Sequence, residues 1–203
     1  MPWPFNVYPS GVALHVVRRG RARTQCFFEE HDRVAFLDWL RQYAMRFECA
    51  VHAYALMGNH VHLLLTPSDG GGAARLIHTL CERHQRSVNE TQARAGGIWE
   101  QGFEASPIHV GRHFLACMRY IELNPVRAGL VTRPGAYRWS SYAANALGRE
   151  DALITPHPFY YALGRSNSER QGAYQRLFGV ETIPRARTRG RPRRDPRGPS
   201  RPT

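Results

Sequence analysis

The sequence of 203 residues contains no lysine, so all 28 of its basic side chains are arginines. This absence excludes chemistry that needs a lysine, such as a Schiff base or the phosphate-binding lysine of a P-loop. Guanidinium groups stay charged and bind phosphates through paired hydrogen bonds. The formal net charge of +12 therefore favours an anionic partner.

Cysteine is also scarce, and long apolar runs are missing. The cysteines are isolated from one another, at Cys26, Cys49, Cys81 and Cys117. Their spacing predicts neither a zinc cluster nor a disulfide framework. No stretch approaches the roughly 20 apolar residues that a membrane helix needs, and the first residues lack the pattern of a secretion signal. We therefore expect a cytoplasmic protein with reduced thiols and no membrane partner.

Apolar periodicity and turn residues predict the order strand, helix, hairpin, helix, strand, helix. The predicted strands lie near 12–19, 50–57, 60–66 and 103–110, and the predicted helices over 32–48, 73–92 and 113–123. Asp32 is predicted to cap the first helix. The order is that of a split βαβ plan, an α+β class in which a central antiparallel sheet carries helices mainly on one face.

Composition divides the chain into three parts. A main domain is predicted over residues 1–145, followed by a short helical extension over 146–183. Residues 184–203 are rich in proline, glycine and arginine, so we expect a disordered tail. This tail holds eight arginines and one acidic residue. Such a composition is typical of segments that bind nucleic acid through its phosphates, and a role in solubility alone is the alternative.

Two histidines of the predicted hairpin lie on one face of a strand. Residues two apart in a strand share a face, so His60 and His62 lie side by side. A turn at Gly58 and Asn59 places the small Ala55 opposite His62, which leaves space above this part of the sheet. Two imidazoles on one face suit a divalent ion if a third ligand exists, although partly exposed histidines without a metal are more common.

A second motif lies in the last predicted helix. Tyr120 and Asn124 are four residues apart and share one flank of that helix. Pro125 disfavours helical geometry at the preceding residue, so the helix is predicted to kink at Asn124 or to start a new turn there. A tyrosine on a helix flank is most often a packing residue, and the motif by itself assigns no chemistry.

Together, the two motifs resemble those of the HUH single-tyrosine transposases, and in particular their REP-associated branch. The similar segments are HVVRRG (15–20), HAYALMGNHVHLLLTP (52–67), IWEQGF (98–103), YIELNPVRAG (120–129) and YRWSSY (137–142). They occur in the family's order and extend over roughly residues 11–145. Several of these segments are long enough to be specific.

The resemblance implies a ferredoxin-like α/β sandwich and an enzyme that cleaves and rejoins single-stranded DNA. Hairpin-forming repeats are its expected targets. Tyr120 would match the nucleophile that forms a 5′-phosphotyrosine. His60, His62 and Asn124 would match the ligands of Mg²⁺ or Mn²⁺. The protein would act on single-stranded or hairpin DNA as a monomer or a homodimer.

Arginines are expected to contact the DNA. The candidates are Arg18, Arg19, Arg21, Arg23 and Arg127 in the main domain and Arg185, Arg187, Arg189, Arg191, Arg193 and Arg194 in the tail. Family members often carry Arg and Lys shortly after the tryptophan, where this chain has Gly102, Phe103 and Glu104. Three alternatives stay open: a domesticated protein that binds DNA without cutting it, an RNA-binding module, and a histidine-metal hydrolase without a covalent intermediate.

Overall fold

The computed structural model describes residues 8–109 and 111–179, and the predicted disordered tail with its candidate arginines lies outside them. The strands are β1 (Ala13–Arg19), β2 (Cys49–Leu56), β3 (His60–Pro67) and β4 (Glu104–Ile108). The helices are α1 (Glu30–Arg46), α2 (Gly72–Thr91), α3 (Gly111–Arg127), α4 (Tyr142–Leu147), α5 (Pro158–Tyr161) and α6 (Asn167–Arg176). None of the helices in these ranges has the length and hydrophobicity of a membrane span.

The four strands form one antiparallel sheet in the order β2-β3-β1-β4. Helix α1 connects β1 to β2, and α2 connects β3 to β4, which is the ferredoxin-like arrangement. The predicted α+β class is confirmed. The predicted hairpin pairing also holds, because Ala55 is the partner of His62 and Ala53 is the partner of Leu64.

The helices, which were expected mainly on one face, cover both faces of the sheet. On one face, α1 and α2 pack against a cluster that includes Val16, Val61 and Leu63. On the other face, α3 and the helices after it form a second buried cluster over β2 and β3. The reason is that α3 has its own apolar seam, including Phe114 and Ile121, which must also be removed from water.

The last three helices share a core with α3. Tyr160 of α5 and Tyr174 of α6 are buried in the same cluster as Phe114 of α3. Helix α4 spans the position, residue 145, at which the predicted main domain ends. The chain beyond that position therefore contributes directly to the packing of α3.

The segment before α4 covers the outer edge of the sheet at β2. The backbone N–H of Leu56 donates to the carbonyl of Trp139 (2.9 Å), and that of Ser141 donates to the carbonyl of Tyr54 (3.1 Å). The Tyr137 hydroxyl donates to the carbonyl of Leu56 (2.7 Å). These bonds satisfy backbone groups that an edge strand would leave unpaired.

Helix α1 begins with a capping box, and the prediction that Asp32 is its N-cap is wrong. The N-cap is Glu29, and Asp32 is the third residue of the helix. The Asp32 carboxylate accepts hydrogen bonds from the backbone N–H groups of Phe28 (2.7 Å) and Glu29 (2.9 Å). An acidic residue at this position can satisfy open N–H groups as well as a cap does.

The four cysteines are buried and free of disulfides, as predicted. Burial raises the pKa of the Cys49 and Cys117 thiols to about 12 and that of Cys81 to about 11. Burial, together with the nearby Cys81, raises the pKa of Cys26 as well. Thiols in such surroundings are protonated at neutral pH.

His84 is a buried histidine in the core beneath α2. Its ring lies among Phe27, Phe36 and Trp99, with centroid distances of 5.0 to 5.3 Å. Neither ring nitrogen has a hydrogen-bond partner within the part of the chain that the structure describes. Burial lowers the pKa of His84 to about 4, against a smaller opposing effect of Asp32.

We expect acid to destabilise the protein partly through His84. The unfolded chain binds a proton there near pH 6.5 but the folded chain only near pH 4, so this stabilisation is complete above pH 6.5 and is lost as the pH falls toward 4. In a His84→Phe variant the free energy of unfolding should fall less steeply with pH, the slope being smaller by up to about 1.4 kcal/mol per pH unit. Urea unfolding between pH 6.5 and 4 measures the two slopes.

The control is His78, an exposed histidine of the same helix. A His78→Gln variant should keep the slope of the wild type. If His84→Phe also keeps that slope, the buried imidazole does not contribute to the acid sensitivity.

Candidate active site

Three histidines meet on the face of the sheet that α3 partly covers. His60 and His62 come from β3, and the pairing of β1 with β3 brings His15 to the same face. The His15 Nε2 atom lies 3.0 Å from the His62 Nδ1 atom, and the two rings are stacked with their centroids 5.2 Å apart. The rings of His60 and His62 lie 4.8 Å apart.

Tyr120 of α3 completes this cluster. Its ring centroid lies 5.8 Å from those of both His15 and His62, with the rings close to perpendicular. The side chain is 39% exposed, so the phenol remains accessible to a substrate. Arg127, two helical turns further on, lies with its guanidinium carbon 5.1 Å from the Tyr120 ring centroid. The structure thus brings together three of the four residues predicted for catalysis and metal binding.

The two histidines predicted to bind a metal both use Nδ1 in a hydrogen bond. The Nδ1 atom of His60 lies 2.7 Å from the amide oxygen of Asn59, which can only accept, so His60 donates in this bond. When His62 Nδ1 donates to His15 in the same way, each imidazole keeps the lone pair of Nε2. This is the arrangement by which neighbouring groups orient histidine ligands in metal sites.

Burial keeps these imidazoles neutral. It lowers the pKa of His62 to about 3, with additional repulsion from His60, His15 and Arg19. Burial also lowers the pKa of His60, and Arg19 adds to this effect. For His15, burial again lowers the pKa, although Glu104 acts in the opposite direction. Neutral imidazole is the form that ligates a metal.

Asn124 bonds to its own helix. Its amide nitrogen donates to the Tyr120 carbonyl (2.9 Å) and lies 3.5 Å from the Ile121 carbonyl. In a regular helix the Ile121 carbonyl would accept from the N–H of the residue four positions later, but that residue is Pro125, which has no N–H. The Asn124 amide thereby compensates in part for the proline, and α3 continues beyond its predicted end to Arg127.

The candidate DNA-binding arginines take different positions. Arg18 lies on the face opposite the histidines, with its guanidinium carbon 6.0 Å from the centroid of Trp99. Arg19, the next residue, lies on the histidine face because side chains alternate along a strand. Arg21 and Arg23 are exposed in the turn that follows β1.

A buried carboxyl group holds α3 from its other side. Glu122 is fully buried and accepts hydrogen bonds from Ser141 (2.6 Å), Asn145 (2.8 Å) and Tyr174 (2.8 Å). Burial raises the pKa of Glu122 to about 7, although the three donors act in the opposite direction. Because the donors belong to α4, α6 and the segment before α4, this group connects the helix of Tyr120 to the C-terminal part of the fold.

The sequence analysis did not select His15 or Glu122. Both lie within segments that carry the family resemblance, which was the available signal. The contact of His15 with His62 depends on a pairing between distant strands. The burial of Glu122 depends on helices more than 20 residues further along the chain, at Asn145 and Tyr174.

Comparison with known protein families agrees with this arrangement. A family profile described as "Transposase IS200 like" matches residues 9–124, which is more than half of the chain. The chain belongs to the IS200-like transposase family. The resemblance to single-tyrosine transposases is thereby confirmed, while a search of curated proteins finds no significant match.

Two solved structures are similar to this transposase. One is described as the REP-associated tyrosine transposase bound to a REP hairpin; it is 15% identical, has a TM-score of 0.61, and the match covers 77% of this chain and 93% of that one. The other is described as a transposase from Deinococcus radiodurans R1; it is 19% identical, has a TM-score of 0.41, and the match covers 57% of this chain and 92% of that one. The first likeness supports the ferredoxin-like fold.

We expect Tyr174→Phe to destabilise the transposase by about 1 to 2 kcal/mol, because the buried Glu122 loses one of its donors while the ring packing is kept. Tyr142→Phe is the matched control, since the Tyr142 hydroxyl lies near the same carboxyl group but forms no hydrogen bond within the described residues. Urea unfolding of the two variants measures the difference. Equal stabilities would show that the hydroxyl of Tyr174 does not support the carboxyl group.

Proposed function

We propose that this transposase cleaves and rejoins single-stranded DNA through a covalent bond to Tyr120. The observation that carries the proposal is the convergence of a solvent-accessible phenol with His15 and His62, which lie on separate strands. The buried His62, the half-buried His15 and the accessible phenol come from three different elements of the fold. Membership of the transposase family supports DNA as the substrate.

The proposed reaction is a transesterification. The Tyr120 phenol oxygen attacks the phosphorus, the bond from phosphorus to the 3′ oxygen breaks, and a 5′-phosphotyrosine and a 3′-hydroxyl result. The phenol loses its proton and the departing 3′ oxygen gains one. Because the new ester retains the energy of the original phosphodiester, attack by a 3′-hydroxyl can rejoin the ends without ATP.

The residues present fit a divalent cation, either Mg²⁺ or Mn²⁺. His60 keeps Nε2 for a ligand bond, and so does His62 when its Nδ1 donates to His15. Asn124 keeps its amide oxygen, since its nitrogen donates to the helix. Among residues 8–109 and 111–179, no three His, Cys, Asp or Glu side chains are grouped as a metal site, so the amide is the proposed third ligand. A bound cation supplies neutralisation of the charge on the phosphate.

Hairpin-forming repeats are the proposed substrates. The protein of similar fold with a TM-score of 0.61 was solved with a REP hairpin, which supports this substrate class for the present chain. The exposed arginines of the turn after β1, Arg21 and Arg23, would bind the phosphates of such DNA. A cytoplasmic location, and action as a monomer or a homodimer, stay predictions.

The RNA-binding alternative finds little support in the sheet face. An RNA-binding sheet of that kind stacks bases on exposed aromatic side chains. Here α3 packs over β2 and β3, and the uncovered part presents imidazoles and Arg19. In the non-cleaving and hydrolytic alternatives, Tyr120 forms no covalent bond to DNA, whereas the proposal requires one.

Replacement of the proposed nucleophile is the direct test. Wild-type protein with Mn²⁺ and fluorescent, hairpin-bearing DNA oligonucleotides should give a protein–DNA adduct that survives a denaturing gel. Tyr120→Phe should abolish this adduct, because phenylalanine has no oxygen to attack the phosphorus. Tyr161→Phe removes another exposed tyrosine hydroxyl and should leave the adduct intact.

The outcomes separate the alternatives. DNA binding without an adduct under any divalent metal would indicate a protein that binds without cutting. Cleavage by Tyr120→Phe at the wild-type rate would indicate a hydrolase with no covalent intermediate. Either result would contradict the proposed chemistry.

Metal binding tests the role of the histidines without DNA. His62→Ala should abolish Mn²⁺ binding measured by titration calorimetry. His15→Phe removes the partner of His62 Nδ1 and should weaken binding by about 10- to 100-fold, as loss of a group that orients a ligand does. His78→Gln, remote on α2, should bind as the wild type does; unchanged binding by His62→Ala would refute the assigned ligand.

A further inference from the structure

We propose that Arg19 binds the phosphate at which the DNA is cleaved, and that Glu104 occupies its guanidinium until DNA arrives. This inference rests on the proposed function and assigns a role at the reacting group to one arginine. Arg19 is the last residue of β1 and lies directly opposite His60 in the sheet. Partners opposite each other in antiparallel strands share a face, so the Arg19 side chain leaves the sheet beside the proposed metal ligand.

The register of the sheet agrees with this position. His62 pairs with Val17, two residues before Arg19 and on the same face, so the Arg19 side chain and the two imidazoles leave the same surface of the sheet. Its side chain is 36% exposed, so a ligand in solution can reach it. A phosphate beside the Nε2 atoms of these histidines would also lie beside Arg19.

Glu104 makes an intramolecular contact that a phosphate could replace. Its carboxylate lies 3.4 Å from the Arg19 Nε atom. The terminal guanidinium nitrogens of Arg19 form no hydrogen bond within the described residues. The Glu104 side chain is 71% exposed. An exposed ion pair of this kind contributes little to stability, because water screens both charges. A phosphodiester that binds the guanidinium through two hydrogen bonds can therefore displace the carboxylate.

The neighbouring arginines lack this combination. Arg18 points to the opposite face and lies over Trp99. Arg21 and Arg23 are in the exposed turn beyond the strand and do not belong to the sheet face of the histidines. Arg127 belongs to α3 rather than to the sheet, and its guanidinium lies over the ring of Tyr120. Of these five arginines, Arg19 is therefore the one that lies opposite a proposed metal ligand in the sheet.

This position has a kinetic consequence. The phosphate gains negative charge as the phenol oxygen attacks, so a fixed cation beside it is attracted more strongly in the transition state than in the bound substrate. Loss of Arg19 should therefore lower the rate of the chemical step more than it weakens DNA binding. Loss of an arginine that contacts only the DNA backbone affects binding instead.

The experiment measures binding and chemistry separately. The probe is a labelled oligonucleotide selected from a pool of hairpins with randomised flanks. The criterion for selection is that the wild type cleaves it. With Mn²⁺ and saturating protein, Arg19→Gln should slow single-turnover adduct formation by about 100- to 1,000-fold. Its dissociation constant for the same DNA should rise by less than about tenfold, because one phosphate contact is lost.

Three further variants sharpen the test. Arg41→Gln removes the same charge from the exposed surface of α1, beyond the other face of the sheet, and should react within about twofold of the wild type, as a surface change does. Arg19→Lys keeps the charge without the planar fork and should recover part of the rate. Glu104→Gln should tighten DNA binding by up to about fivefold, since it removes the competing carboxylate.

The failure of this inference differs from the failure of the proposed function. If the wild type forms an adduct and Arg19→Gln forms it as fast as Arg41→Gln does, Arg19 does not act on the phosphate. Weaker binding by Glu104→Gln would overturn the role of that carboxylate. If the wild type forms no adduct with any oligonucleotide in the pool, both the proposed function and the role of Arg19 are overturned.

Discussion

The approach of α3 to the sheet is the constraint on which the site depends. Ala53 and Ala55 of β2 are fully buried against the seam of α3, where Phe114 and Ile121 pack. Methyl side chains let the helix lie close, whereas larger ones would force it outward or strain the core. Because Tyr120 lies on this helix, the distance from the phenol to the histidines is set by side chains that take no part in the chemistry.

The opposite flank of α3 is fixed by polar contacts. Glu122 lies between Tyr120 and Asn124 in the sequence, and its side chain is buried. It accepts three hydrogen bonds from residues that follow α3. A buried carboxyl group is tolerated only when its oxygens are satisfied, so this network requires α4 and α6 to be in place. The helix is thus held by apolar packing below and by directional bonds beside it, which limits rotation of the nucleophile.

Charge is distributed unevenly over the same face. The centre holds neutral imidazoles, because burial disfavours their protonated form, while arginines lie around it. A phosphate approaching this face meets permanent positive charge at the rim. In the middle it meets uncharged imidazoles, whose nitrogen lone pairs can bind a metal ion. Protonated histidines would repel a divalent cation, so the low exposure of these rings is as important as their identity.

Local pattern was sufficient to predict the hairpin and the face shared by His60 and His62, since the turn at Gly58 and Asn59 determines the register. The position of His15 could not be derived in this way, because it depends on pairing between strands separated by a helix. The packing of α3 on the second face of the sheet was missed for a related reason. The apolar residues along one side of a helix show that this side is buried, but not which surface covers it. The role of Tyr120 rested on family resemblance, since the spacing of the motif also fits a packing residue.

The burial of all four thiols has a practical consequence for this transposase. Reagents that alkylate cysteine react with the thiolate, whereas the native cysteines are buried and their thiols stay protonated at neutral pH. A cysteine introduced on the surface, for example at Arg41, would therefore be modified selectively while the fold persists. Slow labelling at the native positions would in turn report local opening of the core at β2, α2, α3 and the segment before α1.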